Sequence, residues 1–267
     1  MKKSKKSIAQ NFLISLLLSL SIFSCQKKPE NSIQKAKKLI YEEKFEQANF
    51  YLDEEIKKSP QNLEFRYLYG WTFLQLGNQS QALRQFAKCI NQDPSFYGGH
   101  KGLGAIFLTQ GNFSKAEEEF QKALQDNKNQ SEIYSNLSKV KSLQSKQQEA
   151  IEMLVKATQL EKTYGDYDYL LAKLYLDKKE LSLANKALKD AQGKPFLKPL
   201  HEIQMNCLKA IAIRLEIESS KKKSLTESER TQLNKAKDLL NSCEKGNPAR
   251  FENHEERIKI SKLLKRK

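Results

Sequence analysis

Histidines, cysteines and one glycine-rich run are the residues of this 267-residue chain with chemistry to offer. His100, His201 and His254 lie far apart, and none has a histidine, cysteine or carboxylate three or four residues away to make a metal pair on one helical face. The run Gly98-Gly99-His100-Lys101-Gly102-Leu103-Gly104 superficially resembles a phosphate loop. It follows a helical pattern rather than a strand, so its backbone N–H groups are not placed to cradle a phosphate. No G-x-S-x-G nucleophile turn occurs. The expectation is a protein that is not an enzyme, with no catalytic residues, no cofactor and no metal site.

One cysteine does sit where covalent chemistry is expected. Lys2, Lys3, Lys5 and Lys6 form a basic start, followed by the apolar stretch from Phe12 to Phe23. Twelve residues of helix reach only about 18 Å, too short for a relaxed membrane span but right for a secretory signal. The stretch ends in Ile22-Phe23-Ser24-Cys25, which resembles a bacterial lipobox with Phe23 as a departure from the usual small or aliphatic residue. That resemblance implies a signal peptide over residues 1–24, cleavage before Cys25, and two or three acyl chains on Cys25 and its new amino terminus. Two chains are enough for stable anchoring. A plain secretory signal with an incidental cysteine is the alternative. Residues 25–32 would then be a lipidated end and a tether spanning ~25 Å at most, holding the rest close to the bilayer.

Loss of residues 1–24 removes four lysines and leaves 43 basic against 32 acidic residues. In a cytoplasmic chain that excess would suggest nucleic acid. Export argues against nucleic acid and towards anionic headgroups, envelope glycans or an acidic protein. Cys89, Cys207 and Cys243 remain, an odd number at wide spacing that does not describe a disulfide framework. Cys89 falls at an inward position. Cys207 and Cys243 could meet across the last helix pair, and spacing alone leaves the bonded and free states both open.

The elements that position these residues are read from two ladders of small side chains. Ala36, Gly70, Gly104, Ser138 and Ala172 recur every 34 residues, as do Ala48, Ala82, Ala116, Ala150 and Ala184, each twelve residues after its partner. Small residues in register on two antiparallel helices let the helices approach closely, copy after copy. A large apolar residue follows each second rung by four: Leu52, Phe86, Phe120, Leu154 and Leu188. Facing it are Leu39, Phe73, Phe107, Lys141 and Tyr175, so the fourth copy departs from the pattern. Pro60 and Pro94 end the first two copies, and Gly77-Asn78 and Gly111-Asn112 make the tight turns. This pattern resembles the tetratricopeptide repeat (TPR) family. It implies an all-α fold, a right-handed α-solenoid of tandem helix-turn-helix repeats, with five repeats over residues 33–195.

Residues 196–267 stretch the period into an elongated degenerate repeat and atypical C-terminal capping helices. His201–Ser219 reads as one long helix. Thr226-Glu-Ser-Glu229 is a capping-box start for another through Leu233, Ala236, Leu240 and Cys243. A last helix, about 248–264, should dock through Phe251, Ile258 and Leu263.

In this family the first helix of each repeat lines the concave face. The resemblance puts Lys37 and Tyr41, then Tyr67 and Trp71, then Lys101, Asn136, Tyr169 and Lys173, on a ligand groove. Tyrosine and tryptophan in a partly open groove would anchor a peptide or helix. Some members clamp a C-terminal carboxylate with lysines and asparagines from successive first helices. Lys101 and Asn136 fit that clamp, but Ala105 replaces an asparagine and Asp166 puts a negative charge where a cation is needed. The reading is a lipid-anchored interaction scaffold in the bacterial cell envelope, the outer membrane favoured, with an envelope protein or peptide in the groove. It would resemble the repeat lipoproteins that scaffold envelope assembly. The alternative is a protein that binds peptidoglycan or an anionic glycan.

Overall fold

The computed structural model describes residues 31–125, 127–220, 222, 224–244 and 250–265. Residues 1–24, Cys25 and most of the tether lie outside the described residues, as does the side chain of Phe251. Among the described residues there are thirteen helices and no strand. The fold is an all-α solenoid of paired helices, as the two ladders require. It divides into two compact units, residues 1–85 and 86–267.

The first unit holds α1 (Ser32–Tyr41), α2 (Phe45–Lys58), α3 (Leu63–Gln75) and the start of α4 (Gln79–Gln92). Asn31 caps α1 by accepting from the Ile33 N–H at 3.1 Å, and Asn62 caps α3 by accepting from the Phe65 N–H at 3.1 Å. The rungs Ala36 and Ala48 are buried beside Leu52 and Phe65. Thr72 is buried as well, and its hydroxyl is satisfied twice. It accepts from Asn49 Nδ2 at 2.9 Å and donates to the Tyr69 carbonyl at 2.8 Å.

The second unit runs α5 (Tyr97–Thr109), α6 (Phe113–Gln125), α7 (Ser131–Leu143), α8 (Gln147–Leu160), α9 (Asp166–Asp177), α10 (Leu181–Ala191), α11 (Pro199–Ser219), α12 (Glu227–Glu244) and α13 (Arg250–Leu264). Consecutive helices pack, and so do α5 with α7, α9 with α11 and α11 with α13. That next-but-one pattern is what stacked helix pairs produce. The glycine run is the interior of α5 and explains its own composition. A Cβ on Gly102 would stand 2.4 Å from the Phe86 ring, one on Gly104 2.7 Å from the Phe120 ring, and one on Gly99 2.7 Å from Ile90 Cγ1. The run is a seat for neighbouring side chains.

Each of the first five helix pairs turns through one residue in the left-handed region: Glu43, Gly77, Gly111, Ser145 and Lys179, spaced by 34. The N–H of the next residue returns to the carbonyl of Leu39, Phe73, Phe107, Lys141 or Tyr175 at 2.8–2.9 Å. The pattern is a Schellman closure in every copy. The fourth copy therefore keeps its turn geometry without glycine. Its inward Lys141 is ion-paired to Glu117 at 2.7 Å and Glu149 at 2.6 Å.

The capping box at α12 forms as expected. Thr226 N–H donates to Glu229 Oε2 at 2.8 Å and Glu229 N–H donates to Thr226 Oγ1 at 3.2 Å. The Thr226 N–H, then Lys222 and the Thr226 hydroxyl, bring the Glu229 carboxyl down to about 2. Cys207 on α11 and Cys243 on α12 are bonded, with their Cα atoms 5.7 Å apart. Cys89 is buried and takes no part in a disulfide. In α13 Leu263 docks as expected, but one expectation is corrected: Ile258 is 42% exposed, and Ile260 is buried in its place. Burial of Glu256, Ile260 and Leu263, spaced four and three apart, puts Ile258 on the opposite side of the helix. Among the described residues no helix is long and apolar enough to cross a membrane.

Candidate interaction surface

The residues expected on a groove fall at different depths. In the first unit, Lys37 is exposed and ion-paired to Glu64 at 2.8 Å, Tyr41 is exposed, and Trp71 is half-buried. Tyr67 is buried, a core residue rather than a surface anchor.

In the second unit, Lys101 is buried, with its ammonium on Glu132 at 2.7 Å. Tyr169 is also buried. Its hydroxyl donates to Gln204 Oε1 at 2.8 Å, and its ring stacks on His201 at 4.6 Å. Asn136 is half-buried and Lys173 is exposed. These two share a hollow of about 410 Å³, with Ser135, Lys139 and Ser142 of α7, Leu170 and Leu174 of α9, and Lys198 and His201 beyond. A second hollow of about 440 Å³ opens on the other side of Lys173, against Tyr169, Gln204, Ile211, Arg214 and Glu256. Both hollows are lined mainly by the first helices α7, α9 and α11, the face expected to take a ligand.

Buried charge fixes the shape of this region. Asp166, at the first turn of α9, is 4% exposed. It accepts from the backbone N–H of Leu197 at 2.7 Å and of Lys198 at 3.1 Å, and pairs with His201 Nδ1 at 2.8 Å. Burial alone would raise its carboxyl, yet His201 and the two N–H groups outweigh burial and hold it below the ordinary aspartate value. The charge that argued against a carboxylate clamp is thus consumed in tying the 192–198 loop to α9. Next to it, burial raises Asp168 against the opposing pull of Lys194 at 2.6 Å. Arg214 is buried on α11 between Glu256 of α13 and Glu218 one turn along.

The family resemblance placed Asn136 and Lys173 on this face but gave no signal for Ser135, Ser142, Gln204 or Lys198. Lys198 sits in the inter-helix loop, outside the 34-residue register, and no local signal marks it. Among the described residues no three histidine, cysteine or acidic side chains form a group that could hold a metal ion. His100 is spent structurally, with Nδ1 on Glu119 at 2.7 Å and Nε2 on the Pro94 carbonyl at 2.9 Å.

Comparison with known proteins agrees with this architecture. Residues 33–95 and 74–132 match a tetratricopeptide repeat family model. No curated protein sequence matches the chain. Among solved structures, PilF of Pseudomonas aeruginosa is 18% identical with a TM-score of 0.65, over 86% of this chain and 96% of that one. TTC0263, a thermophilic TPR protein of Thermus thermophilus, is 20% identical with a TM-score of 0.59, over 67% of this chain and 97% of that one. YrrB, described as a TPR protein with an unusual peptide-binding site, is 15% identical with a TM-score of 0.55, over 79% of this chain and 98% of that one. Residues 33–132 thus resemble tetratricopeptide repeats by sequence, and the chain shares its all-α repeat fold with these proteins.

Proposed function

We propose that this protein is a lipid-anchored interaction scaffold of the bacterial cell envelope. It presents the first-helix face of its repeats to a protein partner. The observation that carries the reading is the pair of hollows flanking Lys173, open to solvent and lined by α7, α9 and α11 at the positions where a repeat array takes a peptide. Trp71 and Tyr41, accessible on the first unit, are the aromatic residues available to a partner there.

Two further observations support the location. The basic start, apolar stretch and Ser24-Cys25 stand in the order that lipoprotein processing requires. The Cys207–Cys243 bond suits an oxidising compartment outside the cytoplasm. The mechanism is recruitment: a lipid at Cys25 confines the chain to a surface, and confinement raises the effective concentration of whatever the face binds.

Metabolic labelling with a fatty-acid analogue and membrane fractionation, wild type beside Cys25→Ala, tests the anchor. Label and membrane association in the wild type, both lost in the variant, are expected. An unlabelled wild type in the soluble fraction would overturn the anchored reading.

A further inference from the structure

We propose that the hollow between α7 and α9 docks an acidic protein segment carrying leucine-like side chains. The proposal rests on the scaffold reading and names the chemistry of its partner.

The charge balance of this hollow is unlike that of its neighbours. Elsewhere in the unit, three lysines that reach inward are matched: Lys101 by Glu132, Lys141 by Glu117 and Glu149, and Lys194 by Asp168. The hollow beside it sets Arg214 against Glu256, with Glu255 also in its wall. Lys139, Lys173 and Lys198 instead converge on one cavity of about 410 Å³ whose wall contains a single carboxylate, Asp177. All three lysines are exposed, and none makes an ion pair with the described residues. His201 adds a ring whose Nδ1 is already committed to Asp166. Three like charges gathered around one concavity create a positive potential that an anion relieves, and the low-dielectric wall strengthens the effect.

The rest of the lining says what kind of anion. Leu143, Leu154, Leu170 and Leu174 share the wall with the lysines, and Leu143 is 50% exposed at the rim. Ser135, Ser142 and Asn136 offer hydrogen bonds between them. Inorganic phosphate or a sulfated glycan would match the cations and leave Leu143, Leu170 and Leu174 wet. A peptide with carboxylates and apolar side chains matches both.

The test uses the full-length chain in detergent and a short capped peptide alternating glutamate with leucine. Its companions are the same peptide with glutamine for glutamate, and dextran sulfate. Affinity is compared for wild type, for the Lys139→Gln, Lys173→Gln, Lys198→Gln triple variant, and for a charge-matched control. The control carries Lys162→Gln, Lys186→Gln and Lys189→Gln, three lysines outside the hollow. We expect the glutamate peptide to bind in a salt-sensitive manner, and the hollow variant to lose at least about tenfold while the control loses less than about twofold. Equal losses in both variants would show diffuse surface charge and overturn the proposal. So would glutamine-peptide binding as tight as that of the glutamate peptide, or dextran sulfate binding tighter than the glutamate peptide. Partners recovered from cells separate failure of the docking site from failure of the scaffold. If wild type and hollow variant capture the same partners equally, the docking site is wrong and the scaffold stands. If the wild type captures none, the scaffold itself fails.

Discussion

Lys141 on α7 reaches Glu117 on α6 at 2.7 Å, from a position where the other helix pairs place Leu39, Phe73, Phe107 or Tyr175. A cation stands in for an apolar contact, and two acidic residues make that tolerable: Glu117 and, on α8, Glu149 at 2.6 Å.

The pair sets a pH dependence. Burial would raise the Glu117 carboxyl, but Lys141 and Gln144 hold it below its usual 4.5. Burial likewise opposes the charged form of Lys141, while Glu117 and Glu149 hold its ammonium above 10.5. A depressed carboxyl contributes stability above its unfolded value and loses it as pH falls through the folded one. A raised ammonium contributes below 10.5 and loses it as pH rises further. Lys141→Met should therefore cost about 1–3 kcal/mol, most between roughly pH 5 and 10, because Glu117 is left half-buried without its cation. Denaturant titrations of wild type and variant across pH check this. A difference that does not vary with pH would assign the loss to packing alone.

The turns allow a gain. Ser145 and Lys179 occupy the left-handed conformation that glycine supplies in the second and third copies. A side chain there costs about 1–2 kcal/mol, part of which glycine returns as unfolded-state entropy. Ser145→Gly should stabilise the chain by ~1 kcal/mol, and Gly111→Ala should destabilise it by a similar amount. Thermal melts of the two variants should move in opposite directions. A loss in Ser145→Gly would mean that its side chain makes contacts worth more than the strain.

Those turns show what a sequence reveals and what it hides. The ladders exposed the repeat because a 34-residue register is a local pattern repeated, and the small rungs, Leu52, Phe86 and Phe120 are buried as that pattern demands. Ser145 gave no such signal, since its conformation is imposed by the Schellman bonds around it. The site was legible in direction but not in depth. Tyr67, Lys101 and Tyr169 lie on first helices, yet all three are buried, and only long-range partners such as Glu132 and Gln204 decide that. Asp166 read as a charge repelling a ligand because its real partners, Leu197, Lys198 and His201, are more than thirty residues away. Ile258 missed the inward stripe, which runs instead through Glu256, Ile260 and Leu263.

Gly104 is tied to Phe120 by space alone. Alanine there would place a Cβ 2.7 Å from a fully buried ring. Gly104→Ala should lose about 1–3 kcal/mol from overpacking, even after the helix-propensity gain. Adding Phe120→Leu should recover part of that loss, so that the double variant is more stable than additivity allows. Strictly additive losses would contradict a contact between the two.

The Cys207–Cys243 bond spans 36 positions, so the chain-entropy model assigns it about 3–4 kcal/mol. Reductant should lower the unfolding midpoint of the wild type, and the Cys207→Ala, Cys243→Ala double variant should lose its sensitivity. The buried thiol of Cys89 should stay unmodified by alkylating reagents until the chain unfolds. A wild type indifferent to reductant would show that the bond contributes nothing to folding.

Crosslinking in living cells asks whether a tethered chain offers its first-helix face to a protein partner. A photoreactive residue replaces Asn136 in the hollow or Lys186 on α10, outside both hollows, each in the otherwise wild-type chain and with Cys25→Ala. A discrete set of envelope proteins should be captured from position 136, few or none from position 186, with capture lost when Cys25 is replaced. Equal capture from both positions, or capture from position 136 indifferent to Cys25→Ala, would contradict the tethered scaffold.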